Sequence, residues 1–197
     1  MPYGIYDNGN VIAQFVVPMT MKSNTPVFVS DTLSLKRRTR RRAAHRWEIE
    51  TRLEPLSAGA QDLMVHLVVN GHSETIQCIV PQNMGVIRAR TANGRPTATG
   101  SAGASQVEVS ANSGMIPKGT FIRFDNHSKI YMLTDSLVGQ GTMRIFPELR
   151  VSVADSSFNF RDNVIMNCLY DTDTVIGMQY EDGVLMDMGT VRLIERV

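Results

Sequence analysis

The sequence predicts a mainly β protein: a β-sandwich that carries one helix and is interrupted by a small β-barrel-like module. Three observations lead there. Segments of period two recur along the chain, with apolar residues at alternate positions and turn residues at their ends. In the middle third they return at intervals of roughly 8 to 12 residues, the spacing of a small barrel or sandwich. Only one stretch keeps helical periodicity through several turns.

Taken in order, "NVIAQFVVP" alternates loosely and stops at Pro18, and "TPVFVSDTLSL" is rich in Val, Phe and Leu. "RWEIETRL" sets Trp47, Ile49 and Leu53 on one face against Glu48, Glu50 and Arg52 on the other, the pattern of a half-buried antiparallel strand. The basic run "KRRTRRR", residues 36–42, falls between these patterns, where a connection or a strand edge is expected. The helix is read in "PLSAGAQDLMVHLVVNG". Ser57 caps it, Ala60, Leu63, Met64, Leu67 and Val68 recur at helical spacing, and Asn70-Gly71 stops it.

"ETIQCIVP" is the next strand, ended by Pro81, and residues 85–90 continue extended. The texture then changes to the small and polar residues of "TANGRPTATGSAGASQ". After it come the strands "QVEVSA", "TFIRFDN", "KIYMLTD", "TMRIFP" and "RVSVAD", of which the second and third suit a hairpin. The last strands are "VIMNCLY", a hairpin in "TVIGMQYEDGVLMDMG" turning at Asp182-Gly183, and "TVRLIERV". Residues 1–90 and 162–197 are expected to form the sandwich, and residues 91–161 an inserted module whose aromatics Phe121, Phe124, Tyr131 and Phe146 are core.

Composition excludes several classes. Of 197 residues, 43% are hydrophobic and 20% charged, which suits a packed core and not a disordered chain. The net charge is +1 and the pI about 7.8, whereas nucleic-acid domains usually exceed a pI of about 9. Charge is instead local, basic before Arg52 and acidic after Asp155. No run approaches the ~18 apolar residues of a membrane span, and "MPYGIYDNGNVIAQF" has no signal-peptide pattern. The cysteines, Cys78 and Cys168, stand among Ile76, Ile79, Met166 and Leu169 and are read as buried free thiols.

Order and texture together resemble the distal tail proteins of tailed bacteriophages, a Dit-like family of the tail tip and baseplate hub. The resemblance is carried by residues 23–81, where "RWEIETRLEPL" leads into the helix and "ETIQCIVP" follows it. The module "GMIPKGTFIRFDNHSKIYMLTD" with "MRIFPELRVSVAD", and the closing "VLMDMGTVRLIERV", extend it over most of the chain. It implies a structural, non-enzymatic virion protein. Such a subunit is made in the host cytoplasm and assembles with itself into a ring, commonly hexameric. The ring joins the tail tube to other tail-tip or baseplate proteins and leaves a channel that DNA only transits. Many members of the family carry receptor- or carbohydrate-binding insertions, and the middle module here is short.

Lys36, Arg37, Arg38, Arg40, Arg41 and Arg42 are therefore candidates for a subunit interface or a DNA-facing surface, and Met186 and Met188 for an interface. The alternative is a nucleic-acid-binding module using residues 36–42, since Arg and Lys neutralise phosphates. No aromatic is interleaved in the run and acids balance bases overall, which favours an interface or a turn over DNA contact. His66, His72 and Cys78 have no fourth ligand at a recognised spacing, so no metal is expected. His45 and His127 have no evident nucleophile partner, "GSAGAS" lacks the lysine of a phosphate loop, and Glu181-Asp182 suits a turn. No catalytic residue and no cofactor are expected.

Overall fold

The computed structural model describes residues 3–7, 10–31, 37–41, 44–55, 74–82, 87, 95–161, 164–171, 179–182, 184–187 and 189–197. Ten strands come first: β1 (Gly4–Asp7), β2 (Asn10–Asn24), β3 (Val27–Asp31), β4 (Arg37–Arg41), β5 (Arg46–Pro55), β6 (Ile76–Ile79), β7 (Thr97–Gly100), β8 (Gln106–Ser110), β9 (Met115–Ile116) and β10 (Phe121–Phe124). Eight more follow: β11 (Ile130–Leu133), β12 (Leu137–Val138), β13 (Gly141–Phe146), β14 (Val153–Asn159), β15 (Ile165–Tyr170), β16 (Gln179–Glu181), β17 (Val184–Asp187) and β18 (Thr190–Glu195). The protein is mainly β, as its period-two segments predict. Among the described residues no helix is long and apolar enough to cross a membrane.

The strands make two closed six-stranded barrels, one in the order β1-β2-β5-β18-β15-β6 and one in the order β10-β11-β13-β8-β7-β14. A two-sheet sandwich was expected for the first unit; its sheet instead closes because β1 bonds both β2 and β6. Closure removes two free edges at once. The strand β1 is not evident in the sequence, being only four residues long. Gly4 has a specific role there: a Cβ on it would lie 1.8 Å from the carbonyl oxygen of Ala13 on β2. The expected helix, residues 57–70, lies outside the described residues.

The second barrel is an insertion between β6 and β15, and those two strands pair, Ile165 opposite Ile79. Val80 N–H donates to the carbonyl of Val164 at 2.9 Å, so the outgoing and returning chain lie side by side. Within the module β10 and β11 form the expected hairpin, Phe121 opposite Met132. The small-residue stretch before it is not only a connection, because β7 falls inside it. Ala98 is buried and a Cβ at Gly100 would lie 2.6 Å from Val107 Cγ1, so bulk is excluded where β7 passes the core.

Each barrel has its own core. Ile5, Phe15, Trp47, Ile49, Leu53, Met166 and Leu193 fill the first; Ile116, Ile122, Phe124, Tyr131, Ile145 and Phe158 fill the second. Ile130 of the second barrel belongs to the first core, and Phe121, Met132 and Phe146 pack against it. Of the four aromatics read as core, Phe124 and Tyr131 are fully buried in the module, while Phe121 and Phe146 are half-buried at the junction of the barrels.

Candidate functional site

Two places concentrate unusual side chains: a ribbon that leaves the first barrel, and the junction where the barrels meet. The ribbon is β3–β4, a two-stranded antiparallel sheet with Val27 opposite Arg41 and Asp31 opposite Arg37. It continues the β2–β5 ladder, whose last pair is Asn24 opposite Arg46. The basic run was expected as a connection or a strand edge; residues 37–41 are a strand of a two-stranded ribbon, pairing in register with Val27–Asp31. All of β3 is exposed, with Val27, Phe28 and Val29 at 44%, 54% and 45%.

Alternation sends Asp31, Arg37 and Thr39 to one face of the ribbon with Val27 and Val29, and Arg38 and Arg40 to the other with Phe28. Arg37, Arg38 and Arg40 are exposed and form no ion pair among the described residues. Lys36 and Arg42 lie outside the described residues. Met186 is on β17, which pairs with β16 across a turn at Asp182, φ 49°. Met188 lies outside the described residues, as do His66 and His72.

The junction is built around Glu195, at the inward position set by Val191 and Leu193 on β18. Its side chain is wholly buried and pairs directly with Lys129 Nζ. Oε2 also accepts Trp47 N–H at 3.0 Å, and Oε1 accepts Ile130 N–H at 2.8 Å. Trp47 Nε1 in turn donates to the carbonyl of Ile130 at 3.0 Å. Thus both backbone groups of Ile130, in the second barrel, are held by side chains of the first. A buried ion pair survives only with such extra hydrogen bonds, because desolvation otherwise outweighs its Coulombic gain. Burial pulls the Lys129 ammonium below its ordinary range, and Glu195 opposes that pull.

Aromatic edges complete the seam. Trp47 meets Phe121 at 5.2 Å and 89°, and His45 meets Trp47 at 4.6 Å and Phe146 at 4.8 Å, all edge to face. Gln82 accepts Phe121 N–H at 2.9 Å, and Arg123 Nη1 donates 2.9 Å to the carbonyl of Ile165, so more bonds cross between barrels. On the outer side of β5, Glu48 is buried and accepts Asn24 Nδ2 at 2.6 Å, Arg46 Nε at 2.9 Å and Arg192 Nη2 at 2.7 Å. Burial alone would raise its pKa; the hydrogen bonds from Arg192, Asn24 and Arg46 outweigh it and hold the carboxyl below its usual value.

Two adjoining cavities of about 400 and 380 Å³ open at the foot of the ribbon and share Ala44, His45 and Arg150. Ser23 Oγ lies 2.9 Å from His45 Nε2 there, which resembles a nucleophile beside a base. The tautomer is wrong for that chemistry. Lys129 Nζ, 3.3 Å from His45 Nδ1, can only donate, so Nδ1 accepts and the proton sits on Nε2, which donates to Ser23. Burial first and Lys129 second push the His45 pKa down to about 4. His127 is likewise committed: its Nδ1 bonds Asn126 Oδ1 at 2.7 Å and its Nε2 bonds Tyr131 Oη at 2.8 Å.

Cys78 and Cys168 are free, buried, and 3.0 Å apart through their sulfurs. Burial and the neighbouring Cys78 push the Cys168 thiol well up, which keeps the nucleophilic thiolate from forming. Among the described residues no group of three or more His, Cys, Asp or Glu is placed to hold a metal ion.

Sequence reasoning missed the Lys129–Glu195 pair. The signal was present, since a carboxylate at an inward position of a period-two strand requires a buried partner. No protein-family model matches the chain, and no curated protein matches it.

Proposed function

We propose that this chain is a structural subunit of a bacteriophage tail tip or baseplate hub. In this reading copies of it close into a ring, commonly of six, that joins the tail tube to the distal tip and leaves a passage for DNA. The observation that carries the reading is the β3–β4 ribbon. A two-stranded ribbon is marginal in water, and among the described residues no further strand pairs with β3 or β4, whose valines at 27 and 29 are exposed. Edges of that kind are aggregation hazards in a lone protein and become assets when a neighbour pairs with them. The junction supports the same reading, because a part that transmits force needs barrels that keep a fixed relation, and the Glu195 lock joins Lys129 and Ile130 of one barrel to Trp47 of the other. The role needs no cofactor and no chemistry of its own.

Mass photometry and negative-stain microscopy of the purified chain test it. A closed ring is the expected result; a chain that stays monomeric alone and with tail-tube protein refutes it. A second reading has one specific observation in its favour. A two-stranded ribbon fits the major groove of DNA, and this ribbon bears arginines on both faces. That reading requires retention on duplex DNA that falls steeply with salt and is lost when Arg37, Arg38 and Arg40 are neutralised.

A further inference from the structure

The ends of β5 carry opposite charge. At its Arg46 end the ladder runs on into the ribbon, where β4 has four arginines and β3 a single aspartate. At its other end, β18 begins beside Arg52, and the hairpin β16–β17 that precedes it packs on β5. That hairpin, residues 179–187, contains Glu181, Asp182 and Asp187 and no Lys or Arg. Glu54, exposed on the same end of β5, adds a fourth carboxylate, against the one cation Arg52 on that end of the strand.

The two ends cannot satisfy each other within one molecule. The ten residues of β5 span about 30 Å at strand rise, several Debye lengths at physiological salt. Pairing in the β2–β5 and β5–β18 ladders keeps that strand extended between them. Nor can two ribbons dock on one another, since that sets arginines against arginines. What the charge pattern fits is a second copy presented head to tail.

We infer that the arginine ribbon of one subunit docks on the β16–β17 hairpin end of the next, so that each copy offers its basic ribbon forward and its acid-rich hairpin behind. This rests on the ring reading and names the surfaces that close it. A contact between two different faces of the same chain is heterologous, which is what generates a ring when the rotation closes. Exposed Val27 and Val29 lie on one face with Arg37, so the docked surface has apolar area to bury beside its ion pairs. Opposite potentials on the two surfaces set the direction of approach and reject the head-to-head arrangement.

Charge exchange tests this. One variant combines Arg37→Glu, Arg38→Glu and Arg40→Glu; the other combines Glu181→Lys, Asp182→Lys and Asp187→Lys. Each alone is expected to lose self-association on the order of a hundredfold, because both docking surfaces then have the same sign. Mixed in equal amounts, the two variants re-form oligomers in which they alternate, and a chain with all six changes assembles by itself with its polarity reversed. Trp47 emission and the melting temperature, unchanged in each variant, show that folding is intact.

If the wild type forms rings and both triple variants form them equally well, the docking inference fails while the ring reading stands. A wild type that never associates removes both. If the arginine variant assembles normally and loses only duplex DNA retention, the ribbon serves nucleic acid and the inference is overturned.

Discussion

Replacing Lys129 by methionine is the sharpest probe of the junction. The substitution keeps the aliphatic stem and removes the charge. Glu195 then keeps Trp47 N–H at 3.0 Å and Ile130 N–H at 2.8 Å, with no cation beside a wholly buried carboxylate. Removing one partner of such a pair costs about 3 to 5 kcal/mol, which for a chain of 197 residues lowers the melting temperature by roughly 10 °C. The protein supplies its own reporter, because Trp47 is its single tryptophan and is 4% exposed at the lock itself. Urea unfolding followed by Trp47 emission should show the lost stability. Adding Glu195→Leu should not restore it, because Trp47 N–H and Ile130 N–H then lose their acceptor at about 1 to 3 kcal/mol each. A loss below about 1 kcal/mol for Lys129→Met, or recovery in the double variant, would refute the lock as the group that holds the barrels together.

Other outcomes follow from the same geometry. His45 has its folded pKa near 4 against 6.5 when free, so the unfolded chain binds more protons between those values. Its contribution is complete above pH 6.5 and lost as pH falls toward 4. Denaturant midpoints across that window should decline on acidification, and less so in Lys129→Met, where one cause of the shift is gone. Gly4→Ala drives a Cβ into the Ala13 carbonyl and should cost about 2 kcal/mol or more, visible as a lower urea midpoint. Trp47→Phe keeps an aromatic edge for Phe121 but leaves the Ile130 carbonyl without its indole donor, for a loss of about 1 to 3 kcal/mol read from thermal unfolding by circular dichroism.

How far the sequence could be read depended on whether the signal was local. Period two in "RWEIETRL" and "TVRLIERV" marks β5 and β18, and the structure pairs them, Leu193 opposite Ile49. Barrel closure was hidden because it is decided by β1, four residues whose neighbours β2 and β6 lie at quite different distances along the chain. The strand at residues 37–41 was hidden for another reason. Its arginines carry no apolar alternation, and its pairing is dictated by Val27–Asp31 across the ladder. At the junction, Lys129 and Glu195 are 66 residues apart, and only the inward position of the carboxylate announced that some cation had to meet it.

The ribbon continues two strands of the barrel beneath it, β2 and β5, and this decides how a pull on the ribbon is borne. Tension enters β2 and β5 together, since Asn24 and Arg46 are the last pair before the ribbon begins. It must then pass sideways, from β2 to β1 across four residue pairs and from β5 to β18 across five. Interstrand hydrogen bonds stand perpendicular to that direction, so they are sheared as a set and do not unzip singly. A tether anchored in this manner yields only when whole ladders slip.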